Sequence, residues 1–171
     1  MKAFTDEQLM RQVATGNLEA LPVLFERHHK HVYNFLFKMS RDQMLSEDLT
    51  QEVFYKVIKY KESYREGNFI SWLFTIARNS LSSYYTRKKE NHTYLDAVAY
   101  KISEAETEDY SHLDMALQKL DPSDRELIIL NRLQEIKYNE LAEITNSTPG
   151  AVKTKVSRAL KKLRVIYFQT I

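Results

Sequence analysis

The chain has 171 residues, 43% hydrophobic and 28% charged, with no cysteine and a formal net charge of +2; it has room for one ordinary domain or two small ones and is too apolar for wholesale disorder. Three Gly and three Pro are too few for the turns of a β-sandwich or barrel, and zero Cys excludes disulfides, thiolate metal sites and cysteine nucleophiles, while allowing a reducing compartment. No unbroken hydrophobic run exceeds four residues, and Asp6 and Glu7 interrupt any signal-peptide pattern, so no direct membrane insertion is expected.

In chain order the pattern predicts helices throughout. Thr5 and Gln8 form a Thr-x-x-Gln capping box, and Gly16-Asn17 separates that helix from one over residues 18–39. Ser46 is placed to cap the next helix, whose apolar stripe runs Leu49, Val53, Val57 with Phe54 and Ile58. Residues 63–68, containing Gly67, read as the loop before a long helix over 69–89. The stretch 91–113 has one base, Lys101, against Asp96, Glu104, Glu106, Glu108 and Asp109. It reads as an acidic linker, in which Ala97, Val98 and Ile102 could support a short helix. At about 3.3–3.6 Å per residue it could reach roughly 80 Å, so the blocks on either side need not touch. Beyond it, a short helix over 113–120 stops at Asp121-Pro122. Ser123 and Glu126 suggest a second capping box opening a helix over 124–133. Helices over 138–145 and 149–165 follow.

The expected fold is therefore all-α: an N-terminal helical domain (1–90), an acidic linker (91–113) and a C-terminal domain (114–171). Both domains carry a mild excess of positive charge around the acidic linker. In the last helix, Thr148 is a hydroxyl N-cap followed by Pro149 at the first helical position. Val152, Val156, Ala159, Leu160 and Leu163 make one buried stripe. Lys153, Thr154, Lys155, Ser157, Arg158 and Lys161 lie opposite. Residues 148–164 carry six positive charges and no negative one. A short apolar helix (Leu141, Ala142, Ile144), a tight Asn146-Ser147 turn and a basic amphipathic helix make a helix-turn-helix. Small residues Gly150 and Ala151 at the helix start let backbone approach DNA. Lys and Arg hold phosphates, while Thr154, Lys155 and Arg158 can reach base edges. A basic stripe alone could equally be the solvated face of an ordinary bundle helix; the turn, cap and preceding helix favour DNA.

In the N-terminal block, Asp48, Gln51, Glu52 and Tyr55 share one helix face, a polar ridge that by itself could be merely solvated. On the 69–89 helix, Arg78, Asn79, Ser82, Ser83, Arg87 and Lys88 lie on a basic, hydroxyl-rich side. Nine of the chain's aromatic residues fall between Phe54 and Tyr85. Aromatics beside cations suit unstacked single-stranded bases. Phe54, Phe69 and Phe74 are expected in the core, and Tyr64, Arg65 and Asn68, in the loop, are candidates for holding an extruded base. His28, His29 and His31 read as surface or packing residues rather than ligands, since no Cys and only Glu26 could join them. No metal or cofactor is expected, and no nucleotide-binding or hydrolase motif appears.

The segment Ser46-Glu47-Asp48-Leu49-Thr50-Gln51-Glu52-Val53-Phe54 resembles the E-D-L-x-Q-E-x-F segment of bacterial extracytoplasmic-function (ECF) sigma factors. Phe69-Ile70-Ser71-Trp72-Leu73-Phe74-Thr75-Ile76-Ala77-Arg78-Asn79 is similar to that family's F-x-x-W-L-x-x-I-A-R-N promoter-melting segment. The run from Thr148 to Ala159 looks like its −35 reading helix, and Gly16-Asn17 with Ala20 and Leu24-Phe25 is similar to its usual opening. The resemblance spans nearly the whole chain.

It implies a non-catalytic, cytoplasmic initiation factor that binds core RNA polymerase and promoter DNA. Asp48, Gln51, Glu52 and Tyr55 would then dock on the β′ clamp helices. Tyr64, Arg65, Asn68, Arg78, Asn79, Ser82, Ser83, Arg87 and Lys88 would open and hold the −10 strand. Thr148, Gly150, Ala151, Lys153, Thr154, Lys155, Ser157, Arg158 and Lys161 would read the −35 element. An anti-sigma protein would be a further partner, and the linker would thread through the polymerase. The family often has Asp at the position of Ser83 and Arg at that of Thr86, so the resemblance implies a different −10 preference here. The alternatives are a stand-alone helix-turn-helix regulator, which leaves the acidic ridge without a task, and a sigma-mimicking adaptor that sequesters an anti-sigma protein, which has no use for the basic face.

Overall fold

A computed structural model of the chain describes residues 3–90 and 111–170. The acidic stretch with Ala97, Val98 and Ile102 lies outside the described residues up to Tyr110. Among the described residues every regular element is helical: α1 (Asp6–Ala14), α2 (Leu21–Ser40), α3 (Gln43–Lys59) and α4 (Phe69–Glu90) form the N-terminal domain. The C-terminal domain has α5 (His112–Lys119), α6 (Pro122–Ile128), α7 (Tyr138–Ile144) and α8 (Pro149–Thr170).

Local chemistry sets the helix starts. Both hydrogen bonds of the Thr5–Gln8 capping box are made, and acidic Asp6 and Glu7 sit in the first turn of α1, where the helix dipole favours them. After α1 the chain turns at Gly16, whose φ of +105° is open to glycine and strained for other residues. Pro22 lies in the first turn of α2, where its missing N–H costs nothing.

Ser46 does not cap α3. The left-handed Arg41 (φ 55°) ends α2, leaving Asp42 extended, and the Asp42 carboxylate accepts from Leu45 N at 3.0 Å. The helix thus starts one turn before the expected place. Ser46, fully buried inside it, donates back to Asp42 O at 2.6 Å. The second expected capping box is also absent. Pro122 starts α6 directly after Asp121 with no side-chain cap, so Ser123 falls inside the helix and Glu126 is turned to another use described below. α6 then widens into a π-helical turn over Ile129–Leu133. Ser111 caps α5 through Asp114 N, so His112 and Leu113, at the end of the stretch read as linker, are helical.

The two domains touch. Leu24, Val32, Phe35, Leu36, Val53, Phe69, Leu73 and Phe74 form the N-terminal core, and the same apolar cluster continues into Leu127, Ile129, Leu130, Leu141, Ile144, Val152 and Val156. A second cluster, Ala116, Leu117, Leu120, Ile128, Ala159 and Leu163, ties α5 and α6 to α8. Each fully buried Phe or Leu is worth about 1.5–3 kcal/mol. Polar links reinforce the seam. Lys38 Nζ lies 2.6 Å from Asp114 Oδ1, Gln118 Nε2 donates to Lys38 O at 2.9 Å, and His31 Nδ1 is 3.1 Å from Gln134 Oε1.

Candidate nucleic-acid interface

The helix-turn-helix is built as its sequence implies. Thr145 Oγ1 returns to Leu141 O, and Ser147 N donates to Ala142 O at 2.8 Å, closing α7. The chain then turns through Asn146 at φ 53°, a left-handed position that Asn tolerates better than most residues. Thr148 Oγ1 accepts from Ala151 N at 3.2 Å and starts α8. Val152, Val156 and Ala159 are fully buried and Leu163 nearly so. Gly150, Lys153, Thr154, Lys155, Ser157, Arg158 and Lys161 are all exposed, and Ala151 is half-buried. A Cβ placed on Gly150 would meet nothing within 4 Å, so the fold leaves the start of α8 open to a partner. Thr154 Oγ1 donates to Gly150 O at 3.1 Å, which leaves the hydroxyl oxygen able to accept from a partner. The face is a row of cations with small neutral residues at its head, the arrangement that grips phosphate and admits base contacts.

The second surface follows the loop before α4 and the side of α4 itself. Tyr64 is placed differently from an exposed base holder. It is 8% exposed, its ring stacks edge-on against Trp72 at 5.3 Å, and its hydroxyl donates to Gly67 O at 2.6 Å. Burial first, and then the nearby Glu7 carboxylate, raise its pKa, so the hydroxyl stays a donor. Tyr64 therefore shapes the loop, and Arg65 is its exposed cation, beside exposed Glu66. Asn68 caps α4, its Oδ1 accepting from Ser71 N at 2.9 Å, while its Nδ2 donates to Glu140 Oε1 at 3.0 Å. Asn79, Ser82, Ser83 and Arg87 are exposed along α4, and Lys88, half-buried, sits 5.9 Å over the Tyr84 ring. Arg78 is paired with Glu126 and reaches Ile144 O. A cleft of about 1130 Å³ runs beside this part of α4, bounded across the seam by Met115, Lys119 and Pro122.

On α3, Asp48, Gln51 and Tyr55 are exposed, Tyr55 by 62%, and Glu52 is held by Lys56 at 3.2 Å. Met44, 76% exposed, extends this ridge by one turn. The sequence reading missed it, although its position four residues before Asp48 was the available signal. The reading also missed three acidic residues of the C-terminal domain that face the N-terminal one. Glu126 meets Arg78, Glu140 meets Asn68, and Asp114 meets Lys38 and Arg41. Burial pushes the Glu126 carboxyl above its usual range despite Arg78. Burial would also raise Asp114, but its bonds to Lys38 and Ser111 and the charges of Lys38 and Arg41 outweigh this and hold it below that range.

Two of the three neighbouring histidines pack within the N-terminal domain. His28 Nε2 lies 2.8 Å from Asp6 Oδ2 and its ring packs on Phe69, tying α1 to α2 and α4, while the His29 ring stacks on Phe25.

Comparison with known proteins assigns both domains. Residues 24–91 match the family model for Sigma-70 region 2, and residues 111–163 match that for Sigma-70 region 4. The chain is 32% identical over 162 residues to the RNA polymerase sigma factor CarQ of Myxococcus xanthus, covering 91% of this chain and 93% of that one. It is 28% identical to the ECF RNA polymerase sigma factor SigM of Bacillus subtilis, over 84% of this chain and 93% of the relative. Among solved structures it superposes on CnrH, solved with the cytosolic domain of CnrY, at a TM-score of 0.74 and 22% identity, over 94% of this chain and 96% of that chain. It also superposes on the sigma factor RpoE of Bartonella quintana, solved with the anti-sigma factor NepR, at a TM-score of 0.67 and 25% identity, over 85% of this chain and 94% of that chain.

Proposed function

The chain belongs to the extracytoplasmic-function group of RNA polymerase sigma factors, and on that premise we propose a division of labour among its surfaces. It binds core RNA polymerase and directs promoter-specific initiation of transcription. The exposed face of α8, from Thr148 to Lys161, reads the −35 duplex: Lys153 and Lys161 hold phosphate, and Lys155 and Arg158 contact bases. Arg65, Asn68, Arg78, Asn79, Ser82, Ser83, Arg87 and Lys88 receive the −10 strand, with Tyr64 supporting the loop from beneath. The ridge Asp48, Gln51, Glu52 and Tyr55, extended by Met44, docks on the β′ clamp helices. The polymerase performs the chemistry, and this chain is a non-catalytic subunit acting in the cytoplasm. No described helix is long and apolar enough to cross a membrane. Strand opening is driven by binding, since each captured or stacked base returns about 1–3 kcal/mol.

An anti-sigma protein is a further partner in this reading. The likeness to a sigma factor solved with its anti-sigma factor supports it.

The observation that carries the proposal is the pairing of a wholly exposed cationic face on α8 with a separate acidic ridge on α3. A stand-alone DNA-binding regulator has no use for the second. Retention on immobilised core polymerase tests it: the wild-type chain should be retained, and Asp48→Ala/Glu52→Ala should be lost with its helical content unchanged. Equal retention of both, or of neither, would overturn the assignment of the ridge.

A further inference from the structure

The first helix, α1, precedes the residues 24–91 that match the family model for region 2 and lies outside the three binding surfaces. It is firmly seated. Met10 and Val13 are fully buried, and the Thr5–Gln8 capping box fixes the first turn. Asp6 lies 3.0 Å from Arg27 and 2.8 Å from His28 of α2. From this fixed turn the half-buried Glu7 reaches across to α4, where its Oε1 accepts from Phe69 N at 3.1 Å.

Phe69 is the first residue of α4 and is fully buried. The first N–H groups of a helix have no partner within it, and a buried one cannot turn to water instead. Asn68 Oδ1 takes Ser71 N, and Glu7 takes Phe69 N from another helix. The helix dipole favours a carboxylate at that end. The bond sits where the chain passes from the loop into α4. Just before it, the Tyr64 hydroxyl donates to Gly67 O at 2.6 Å, and the Tyr64 ring packs on Phe69 and Trp72. Between these anchors Arg65, Glu66 and Gly67 are exposed. The loop is held by Tyr64 from beneath, by Asn68 at its exit and by Glu7 from α1.

We propose that α1 is a strut for the strand-receiving loop, and that Glu7 is a positioning residue that sets, through Phe69 N, where the loop presents Arg65 to the −10 strand. The inference rests on the reading of Arg65 as a strand contact. The apparent affinity of a site falls with the fraction of molecules in which it is correctly placed. A charge-assisted hydrogen bond to a buried donor shifts that balance by about tenfold. Tyr64 and Asn68 still hold the loop without Glu7, so strand capture should weaken by about three- to tenfold.

The test uses holoenzyme assembled from core polymerase and full-length variants, on a promoter that the wild-type holoenzyme selects from a random library. Glu7→Ala should slow promoter opening by about three- to tenfold. Glu7→Asp, which keeps the charge but is one methylene short, should do the same. Glu7→Gln loses the charge and keeps the acceptor, and should stay within about twofold of wild type. A general charge effect would instead group Gln with Ala. Retention on core polymerase and affinity for a −35 duplex should change less than about twofold in all three. The chain has one tryptophan, Trp72, and its contact with Tyr64 makes it a native reporter of the loop. Its emission should shift in the Ala and Asp variants and not in Gln. On an Arg65→Ala background, Glu7→Ala should slow opening little further, because coupled residues are not additive.

Equal losses in Gln and Ala, slower opening with unchanged Trp72 emission, full additivity with Arg65→Ala, or a matching loss of −35 duplex affinity would overturn the strut. If Arg65→Ala slows opening and Glu7→Ala does not, the strut alone falls. If Arg65→Ala leaves opening unchanged, the strand-contact reading of the loop falls, and the strut with it.

Discussion

Arg125 offers a direct energetic test of the platform beneath α8. Its guanidinium donates to Leu117 O at 2.9 Å, to Gln118 O and Leu120 O at 3.0 Å, and across the seam to Met39 O at 3.3 Å. Gln118 O and Leu120 O lie at the C-terminal end of α5, where carbonyls lack intrahelical partners, and Leu117 O accepts from Leu120 N at 3.2 Å as well as from Arg125. Leu117 and Leu120 are 1% and 5% exposed, so water cannot replace the donor there. Arg125→Ala strips three carbonyls at the end of α5 and its C-cap of a charged donor, and at about 1 kcal/mol each the loss is about 3 kcal/mol. For a chain of this size each kcal/mol lowers Tm by about 2–4 °C, giving a fall of about 6–12 °C. Arg125→Lys should recover only part of it, because a single ammonium cannot span the fork. Thermal unfolding followed by circular dichroism at matched concentration reads both values. A Tm within about 1 °C of wild type for Arg125→Ala, or full recovery by Lys, would refute the reasoning.

Three further predictions follow from the same geometry. Arg158→Ala and Lys155→Ala should each cost about 1–3 kcal/mol on a cognate −35 duplex and much less on a mismatched one. Equal losses on both in a fluorescence titration would make the residue a phosphate contact, which should also lower the salt slope by about one unit. Asp6 is held below the ordinary carboxylate range: burial opposes this, but bonds and charge from His28 and Arg27 outweigh it. Because the folded pKa of both Asp6 and Asp114 is depressed from 3.8, the stability they add is present above that value and lost as pH falls through the folded pKa. Asp6→Asn/Asp114→Asn should therefore flatten the acid limb of Tm against pH; an unchanged limb would contradict the sign. Glu126 has the opposite sign: its pKa is raised from 4.5, so its contribution is lost as pH rises. Glu126→Gln should hold or raise Tm at neutral pH, and a fall of several degrees would contradict that.

The helices and the exposed cationic face of α8 were legible because their signals are local. Thr5 with Gln8, Thr148 with Pro149, and the spacing from Val152 to Leu163 each act within one or two turns. The helix starts at Ser46 and Ser123 were misplaced for a physical reason. A neighbouring backbone feature, left-handed Arg41 in one case and Pro122 in the other, moved the boundary and put a different residue at the cap. Tyr64 read as an exposed loop aromatic because its burial depends on Trp72 and Phe69, which fold over it from α4. The seam was not legible at all. Glu126 and Arg78, or Asp114 and Lys38, are far apart in sequence, and no local pattern pairs them. Their meeting follows only from the shared apolar cluster that joins Leu73 and Phe74 to Leu141 and Ile144.

The central claim is tested most directly by transcription in vitro with purified core polymerase on a promoter library, reading RNA 5′ ends with and without the chain. The account predicts start sites that appear only with the chain, share a −35 and a −10 sequence, and vanish with Lys155→Ala/Arg158→Ala. Start sites that are the same with and without the chain would contradict it.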